Sequence, residues 1–367
     1  MKTKILFVIT TMGGGGAERI VSYLSNYFCK KDNTEVSLLL LKEEGNTYID
    51  QLSKQIRIYN LNLKGRLRWN VLKIVRSISE IRPNICFIGL DGLNILLAPF
   101  VPYFKTRGIR MIVRETNVLS SMWGNSLIKK IPYRLFYNNY NNIICQSRDM
   151  ADDLIKSWAI RRKKITIINN PVDTATIQEK SDEPITNGIN LTPEYFVSVG
   201  RLSPQKGFDR LIKLIHQLVR QSLFPYRLLI IGDGADKIKL KKIIRSLQLD
   251  DIIILLGRLD NPYQIIKHAK GFILGSYFEG FPNVLLEANA LGVPILANNC
   301  PGGINEIIIE RQNGYVADFD SFESFKNKFI EFCNTPFDSD SIKELNYNRY
   351  DQSVIFPMYS KLFSIQK

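Results

Sequence analysis

Residues 5–41 read ILFVITTMGGGGAERIVSYLSNYFCKKDNTEVSLLLL. A β-rich run at 5–10 passes through four glycines into 17–28, where Ile20, Val21, Leu24 and Phe28 keep helical spacing, and a second β-rich run follows at 36–41. Strand, helix and strand in succession predict a βαβ unit whose helix lays its apolar face on a parallel sheet. The alternation continues outward, with strand candidates at 85–90, 111–114, 142–146 and 165–168. A polar stretch with three prolines, 169–193, shows no periodicity. A second series follows at 195–199, 227–231, 252–256, 271–274 and 293–297, with helices such as 208–219 between. The expected architecture is α/β with two Rossmann-like domains: 1–170, a linker at 171–193, 194–350, and a helix within 351–367 that packs back toward the first domain.

At 367 residues, 45% of them hydrophobic, the chain has the length and apolar content for two cores. The net charge of +14 is lopsided, because residues 1–164 hold 27 Lys and Arg against 12 Asp and Glu. That excess points to an anionic partner for the first half, phospholipid headgroups or nucleic acid, with an idle solvated surface as the plain alternative. The five cysteines show neither CxxC pairing nor metal-ligand spacing, which reads as a reducing cytoplasm. The start lacks the length and cleavage site of a signal peptide, and 85–101 is broken by Asp91, Asn94 and Pro99, so any membrane contact is expected to be peripheral. The two histidines, His216 and His268, fall in helices of the second domain, which excludes a His-based triad and a histidine zinc cluster.

Three stretches carry chemistry. The first is Gly13 to Gly16, between a strand and a helix, where backbone N–H groups and the helix N-terminus favour a phosphate; the spacing is not GxGxxG, and a flexible turn explains it equally well. The second is GRLSPQKGF at 200–208, which places Arg201 and Lys206 on the loop leaving a strand's carboxyl end, where two cations can converge on one diphosphate. The third is EGFPNVLLE at 279–287: Glu279 falls in a loop, Pro282 fits the first turn of a helix, and Glu287 lies one turn inside, at the edge of the stripe Val284, Ala288 and Leu291. A carboxylate there can accept bonds from vicinal hydroxyls. A solvated loop and an incidental pair of surface glutamates are the bland readings.

Taken together, GGGGAER at 13–19, INNPVD at 168–173, VGRLSPQKGFD at 199–209, IGDG at 231–234, LGRLDNP at 256–262 and Glu279-x7-Glu287 resemble the retaining GT-B glycosyltransferases of family 4, the glycosyltransferase group 1 family. The resemblance covers nearly the whole chain. It implies two Rossmann-like domains facing each other across a cleft and a hexosyltransferase using a nucleotide-diphosphate sugar, UDP being the family's commoner donor. It also implies roles. Arg201 and Lys206 would hold the diphosphate and neutralise charge as the sugar–phosphate bond breaks. Glu279 would touch the transferred sugar beside the N–H groups of Gly280, Phe281 and Asn283. Glu287 would bind the ribose, Arg258 and Leu259 would line the base, and Gly14, Gly15 and Gly16 would close over phosphate and acceptor. No cofactor or metal is implied, the nucleotide-sugar being a co-substrate. The strings Asp318-Phe-Asp320 and Asp338-Ser-Asp340 lie beyond this site and read as caps or loops. Many relatives carry a histidine in the N-terminal domain, and this chain has none there; Asp91, Arg114, Glu115 and Asn117 are the candidates for acceptor-side contact.

The expected partners are a nucleotide-sugar donor, a lipid-linked or glycan acceptor and an anionic membrane surface, with the protein on the inner face of the cell membrane. Residues 127–140 interleave Lys129, Lys130 and Arg134 with Ile128, Ile131, Tyr133, Leu135, Phe136, Tyr137 and Tyr140, and Lys64, Arg66, Arg68 and Trp69 form a shorter cluster. Core aromatics flanked by ordinary surface cations are the alternative. Two other functions compete. A nucleic-acid-binding protein would use the same basic half, yet no recognition helix, aromatic RNP-like motif or zinc signature accompanies it. A sugar-nucleotide epimerase would need further acid–base residues.

Overall fold

The computed structural model describes residues 2–43, 47–124, 126–184, 191–192 and 194–365. β1 (Thr3–Ile9) and β2 (Thr34–Leu40) are joined by the helix Gly16–Cys29 and run parallel, with Thr3 opposite Thr34 and Ile9 opposite Leu40. β3 (Arg57–Asn60), β4 (Ile85–Ile88), β5 (Arg110–Arg114), β6 (Asn142–Cys145) and β7 (Ile165–Ile167) complete a parallel sheet of order β3-β2-β1-β4-β5-β6-β7. The chain first winds outward from β1 to β3 and then returns to β4, so the winding direction switches between β1 and β4, where open α/β sheets bind ligands.

Both faces of this sheet are covered, which is why its strands are apolar runs and do not alternate with polar residues. Leu6 and Val8 of β1 face one core with Ile74, Ile78, Phe104 and Trp158, whereas Ile5, Phe7 and Ile9 face another with Ile20, Leu24 and Phe28. The second core is closed by the C-terminal helix Gln352–Phe363, which groups with the first unit, Met1–Pro171. Its Phe363 stacks on Phe28 at 4.9 Å, its Phe356 lies 4.6 Å from the Tyr27 ring, and Arg110 Nη2 donates to the Leu362 carbonyl at 3.1 Å.

The second unit, Val172–Gln352, repeats the scheme with β8 (Tyr195–Val199), β9 (Arg227–Ile231), β10 (Ile253–Gly257), β11 (Gly271–Leu274), β12 (Ile295–Asn298) and β13 (Gly314–Ala317). All are parallel, in the order β10-β9-β8-β11-β12-β13, and the winding switches between β8 and β11. The helix Phe208–Arg220 buries Leu211, Ile212, Ile215 and Leu218 against this sheet.

Three expectations are corrected. The stretch 171–193 is not simply a linker: Thr174–Ser181 is a helix of the second unit, capped by Asp173 and burying Thr174, Ile177 and Ser181, a face too polar to register as periodic. Residues 185–190 and 193 lie outside the described residues. In the segment 127–140, Tyr133, Tyr137 and Tyr140 are core, and Lys130 is buried over the Trp158 ring, because the helix Leu127–Phe136 turns that side inward. The helix Asn283–Ala290 is buried on nearly all sides, so Glu287 is enclosed and not at the rim of an apolar stripe.

Candidate active site

The loop leaving β8 tightens into a 3-10 turn, Pro204–Lys206, and ends at Gly207, whose φ of 62° starts the helix Phe208–Arg220. Only glycine fits there, since a Cβ would lie 2.2 Å from the Gly275 carbonyl oxygen in the loop leaving β11. Backbone meets backbone again where Tyr277 N donates to Gln205 O at 2.8 Å, and Gln205 Nε2 donates to Phe278 O at 2.9 Å. On the other side the loop leaving β12 closes in: Glu279 N donates to Pro301 O at 3.0 Å, Gly303 N to Gly280 O at 2.8 Å, and Asn298 Nδ2 to Ser276 O at 2.9 Å. A Cβ at Gly302, with φ 129°, would stand 2.1 Å from the Glu279 carbonyl oxygen. Residues 275–280 are thus pinned between two neighbouring loops at the carboxyl ends of β8, β11 and β12.

Glu279 is 6% exposed, and its Oε1 accepts two bonds of 2.6 Å, from Lys206 Nζ and Ser276 Oγ. Burial makes such a charge-assisted pair directional and leaves it dependent on both partners. Lys206 retains 18% side-chain exposure, and its stem passes within 3.4 Å of where a Cβ on Gly200 would lie. Arg201, on the same loop, is exposed. Glu287 is 5% exposed within the following helix, which Asn283 begins. The Phe281 ring is core, 5.5 Å from the Tyr350 ring, so this residue can offer a ligand only its backbone. Arg258 is exposed after β10 and Leu259 is half-buried against the core. The structure therefore joins Lys206 and Glu279 directly and adds Ser276, Gln205 and Asn298, which sequence reasoning missed. Ser276 stood inside the SYFEGFPN stretch, whereas nothing local marked Asn298.

In the first unit the glycine loop sits at the carboxyl end of β1, beside the switch point. Gly14 takes φ 109°, Gly15 occupies the N-cap without a side-chain cap, and the Glu18 carboxylate folds back so that a Cβ on Gly15 would meet its Oε2 at 2.3 Å. Asp91 begins the helix Asp91–Leu97 just after β4. Asn117 is half-buried and donates to Thr116 Oγ1 at 3.3 Å. Arg114 and Glu115 depart from the acceptor-side expectation, being 2% and 1% exposed. Arg114 Nη2 bonds Asn170 Oδ1, while Glu115 Oε1 accepts from Asn94 Nδ2 at 2.9 Å and from the Tyr137 hydroxyl. Both side chains are committed inside the unit. Burial also pushes the Tyr140 phenol and the Cys86 and Cys145 thiols well above their ordinary values, leaving them protonated and inert.

The two DxD strings form a turn and a cap. Asp318 Oδ1 accepts from Asp320 N at 2.9 Å, and Asp338 caps the helix Ser339–Tyr350 while Asp340 pairs with Lys343 at 3.0 Å. Among the described residues no three His, Cys, Asp or Glu side chains group as metal ligands.

Comparison with known proteins agrees with this layout. Residues 14–176 match the profile of Glycosyltransferase Family 4, and residues 179–351 that of Glycosyl transferases group 1. The lipopolysaccharide 1,6-galactosyltransferase of Escherichia coli K12 is 31% identical over 90% of this chain and 85% of its own length. The N-acetylgalactosamine-N,N'-diacetylbacillosaminyl-diphospho-undecaprenol 4-alpha-N-acetylgalactosaminyltransferase of Campylobacter jejuni is 26% identical over 94% of this chain and 93% of its own. The crystal structure of Anabaena HepE in complex with UDP shares the fold at a TM-score of 0.79 and 19% identity, covering 99% of this chain and 100% of that one. With both halves matched in order and a relative above 30% identity along most of its length, the chain belongs to the group 1, family 4 glycosyltransferases of GT-B fold.

Proposed function

We propose that this glycosyltransferase moves a hexose, with retention, from a UDP-sugar to a lipid-linked glycan or polysaccharide in surface glycan biosynthesis. The observation that carries the reading is the Glu279 carboxylate held by Lys206 and Ser276 between the loops leaving β8 and β12. A leaving diphosphate gains charge as the glycosyl bond breaks, and fixed cations with helix N-termini can stabilise it without a metal. Arg201 and Lys206 take that role, and Lys206 passes from Glu279 to the phosphate. Glu279 then addresses the sugar hydroxyls with the amides of Gly280, Phe281 and Asn283. Glu287 binds ribose and Arg258 and Leu259 line the base, while in the first unit Gly14, Gly15 and Gly16 offer backbone N–H groups suited to a phosphate or an acceptor. The leaving phosphate accepts the acceptor's proton on the same face, so no protein nucleophile is required. Asn117 and Asp91 remain the acceptor-side candidates.

The acceptor class draws support from the relatives, since the Campylobacter protein is named for a diphospho-undecaprenol substrate and the E. coli protein for lipopolysaccharide. UDP is supported by its presence in the HepE crystal. A panel of nucleotide sugars scored by released nucleoside diphosphate, with and without undecaprenyl-diphosphate-linked glycans, tests both. Release should be greatest with one UDP-sugar and should require the lipid-linked acceptor; turnover confined to GDP-sugars, or a donor epimerised without acceptor, would overturn the reading.

Contact with the cytoplasmic membrane face is part of the same proposal. Leu127, Ile128, Ile131 and Leu135 stand exposed on the helix Leu127–Phe136, Ile128 at 80%, beside Lys129, whose ammonium lies 4.2 Å from the Trp123 ring. Trp69 is 76% exposed with Arg68 over its ring. Among the described residues no helix is long and apolar enough to cross a membrane, so such a surface would dock and not insert. Each cation near an anionic leaflet contributes about 1 kcal/mol. Flotation with phosphatidylglycerol vesicles should be strong at low salt and should fall for Ile128→Asp and Lys129→Glu; equal flotation with neutral vesicles, or none with either, would leave a soluble acceptor.

A further inference from the structure

The segment that carries Glu279 is held from behind by a residue outside the motifs. Arg210 lies in the first turn of the helix Phe208–Arg220, with its side chain 10% exposed. Its Nη2 donates to the Gly275 carbonyl at 2.8 Å and reaches the Ser276 carbonyl at 3.5 Å, its Nη1 pairs with Asp320, and its guanidinium lies 4.1 Å from the centre of the Tyr277 ring. Gly275, Ser276 and Tyr277 are the residues that lead from β11 toward Glu279, and the Ser276 hydroxyl is itself a donor to the Glu279 carboxylate. One planar fork therefore addresses two successive carbonyls, an aromatic face and a carboxylate, a combination that lysine's single ammonium cannot reproduce.

The guanidinium is not oriented for its own satisfaction. Arg210 Nε is buried without a hydrogen-bond partner among the described residues, a cost accepted where the group is aimed elsewhere. Its anchor, Asp320, is 75% exposed in the turn after β13, so the contact joins the rim of the sheet to the loop. We infer that Arg210 is a positioning residue: it fixes residues 275–277 so that Ser276 presents the Glu279 carboxylate in register with the donor, and Asp320 sets Arg210. The inference rests on the role given to Glu279 above and concerns how that role is maintained.

The test is a double-mutant cycle in the full chain, reading kcat and donor KM separately, with thermal midpoints alongside. Arg210→Ala should lower kcat about 100-fold, the penalty for displacing a reacting group by about 1 Å, with donor KM changed less than about threefold. In a Glu279→Gln background the same substitution should lower kcat less than about threefold, because the group it positions is already gone. Arg210→Lys should fall between, and Asp320→Asn, at an exposed site that does not threaten folding, should lower kcat about threefold to tenfold with an unchanged midpoint. Equal losses from Arg210→Ala in both backgrounds, or wild-type kcat in Arg210→Lys and Asp320→Asn, would overturn the inference. Wild-type kinetics in Glu279→Gln alone would instead remove the site reading on which it depends.

Discussion

Glu115, in the first unit, and Glu279, in the second, are alike by every local measure. Each follows an inner strand of a parallel sheet, each is nearly shut off from water, and each accepts two side-chain bonds on one carboxylate oxygen. The difference lies in the donors. Asn94, from the helix Asp91–Leu97, and Tyr137, from the core beneath β5, which donate to Glu115 Oε1, are neutral and fully buried. One of those of Glu279 is a cation on a loop at the carboxyl end of β8, still partly open to solvent. Burial and bond count therefore do not separate the two carboxylates; the origin of the donors does. A donor rooted in the core can only hold, whereas a lysine on a ligand-side loop can change partners when an anion arrives.

This contrast can be broken at several points. The largest effect should come from Lys206→Ala and Arg201→Ala, each expected to cost about 2–4 kcal/mol in kcat/KM, the range for a preorganised charge-stabilising group, with the urea midpoint little changed for the exposed Arg201. Wild-type kcat/KM in Lys206→Ala would make the Lys206–Glu279 pair as structural as the one around Glu115. Glu115→Ala should behave in the opposite way. It strands the Tyr137 hydroxyl and should cost about 1–3 kcal/mol of stability in urea titrations, while kcat per folded molecule stays near wild type. Lost turnover at full stability would return Glu115 to the acceptor side. Smaller still, Glu287→Ala should raise donor KM with little change in kcat, since ribose contacts are similar in ground and transition states. Chelation by EDTA should have the least effect. Activity lost to EDTA and restored by Mg²⁺ or Mn²⁺ would revive the DxD strings.

Much of this was legible in the sequence, and the exceptions share a cause. The strands at 195–199, 227–231 and 271–274 end where expected because central parallel strands are continuous apolar runs, closed here by Gly200, Gly232 and Gly275. β3 escaped notice because its residues, Arg57 to Asn60, are exposed or half-buried at the sheet edge, and its pairing with β2 depends on backbone groups that leave no side-chain pattern. The helix Thr174–Ser181 was hidden for a similar reason, its buried face being threonine, isoleucine and serine. Spacing alone placed Glu279, Lys206 and Arg201 on the two loops that meet. It could not reveal that Arg114 and Glu115 are sealed in, because Asn94, Tyr137 and Asn170 come to them only when the sheet forms.

The C-terminal helix has a consequence for biosynthesis. Ile355, Phe356, Tyr359 and Phe363 leave the ribosome after the whole of the second unit, yet they cover a core built from β1, β4 and the helix Gly16–Cys29, which leave it before that unit. At about 5–20 residues per second, translation of the intervening second unit occupies on the order of 10–40 s, during which Phe28 and Phe87 lack their cover. The second unit, contiguous in sequence, has every strand it needs before that helix emerges. Vectorial synthesis thus reverses the order of maturation: the unit made second can be completed first, and the nascent first unit is the part exposed to chaperones and to aggregation until the helix Gln352–Phe363 arrives.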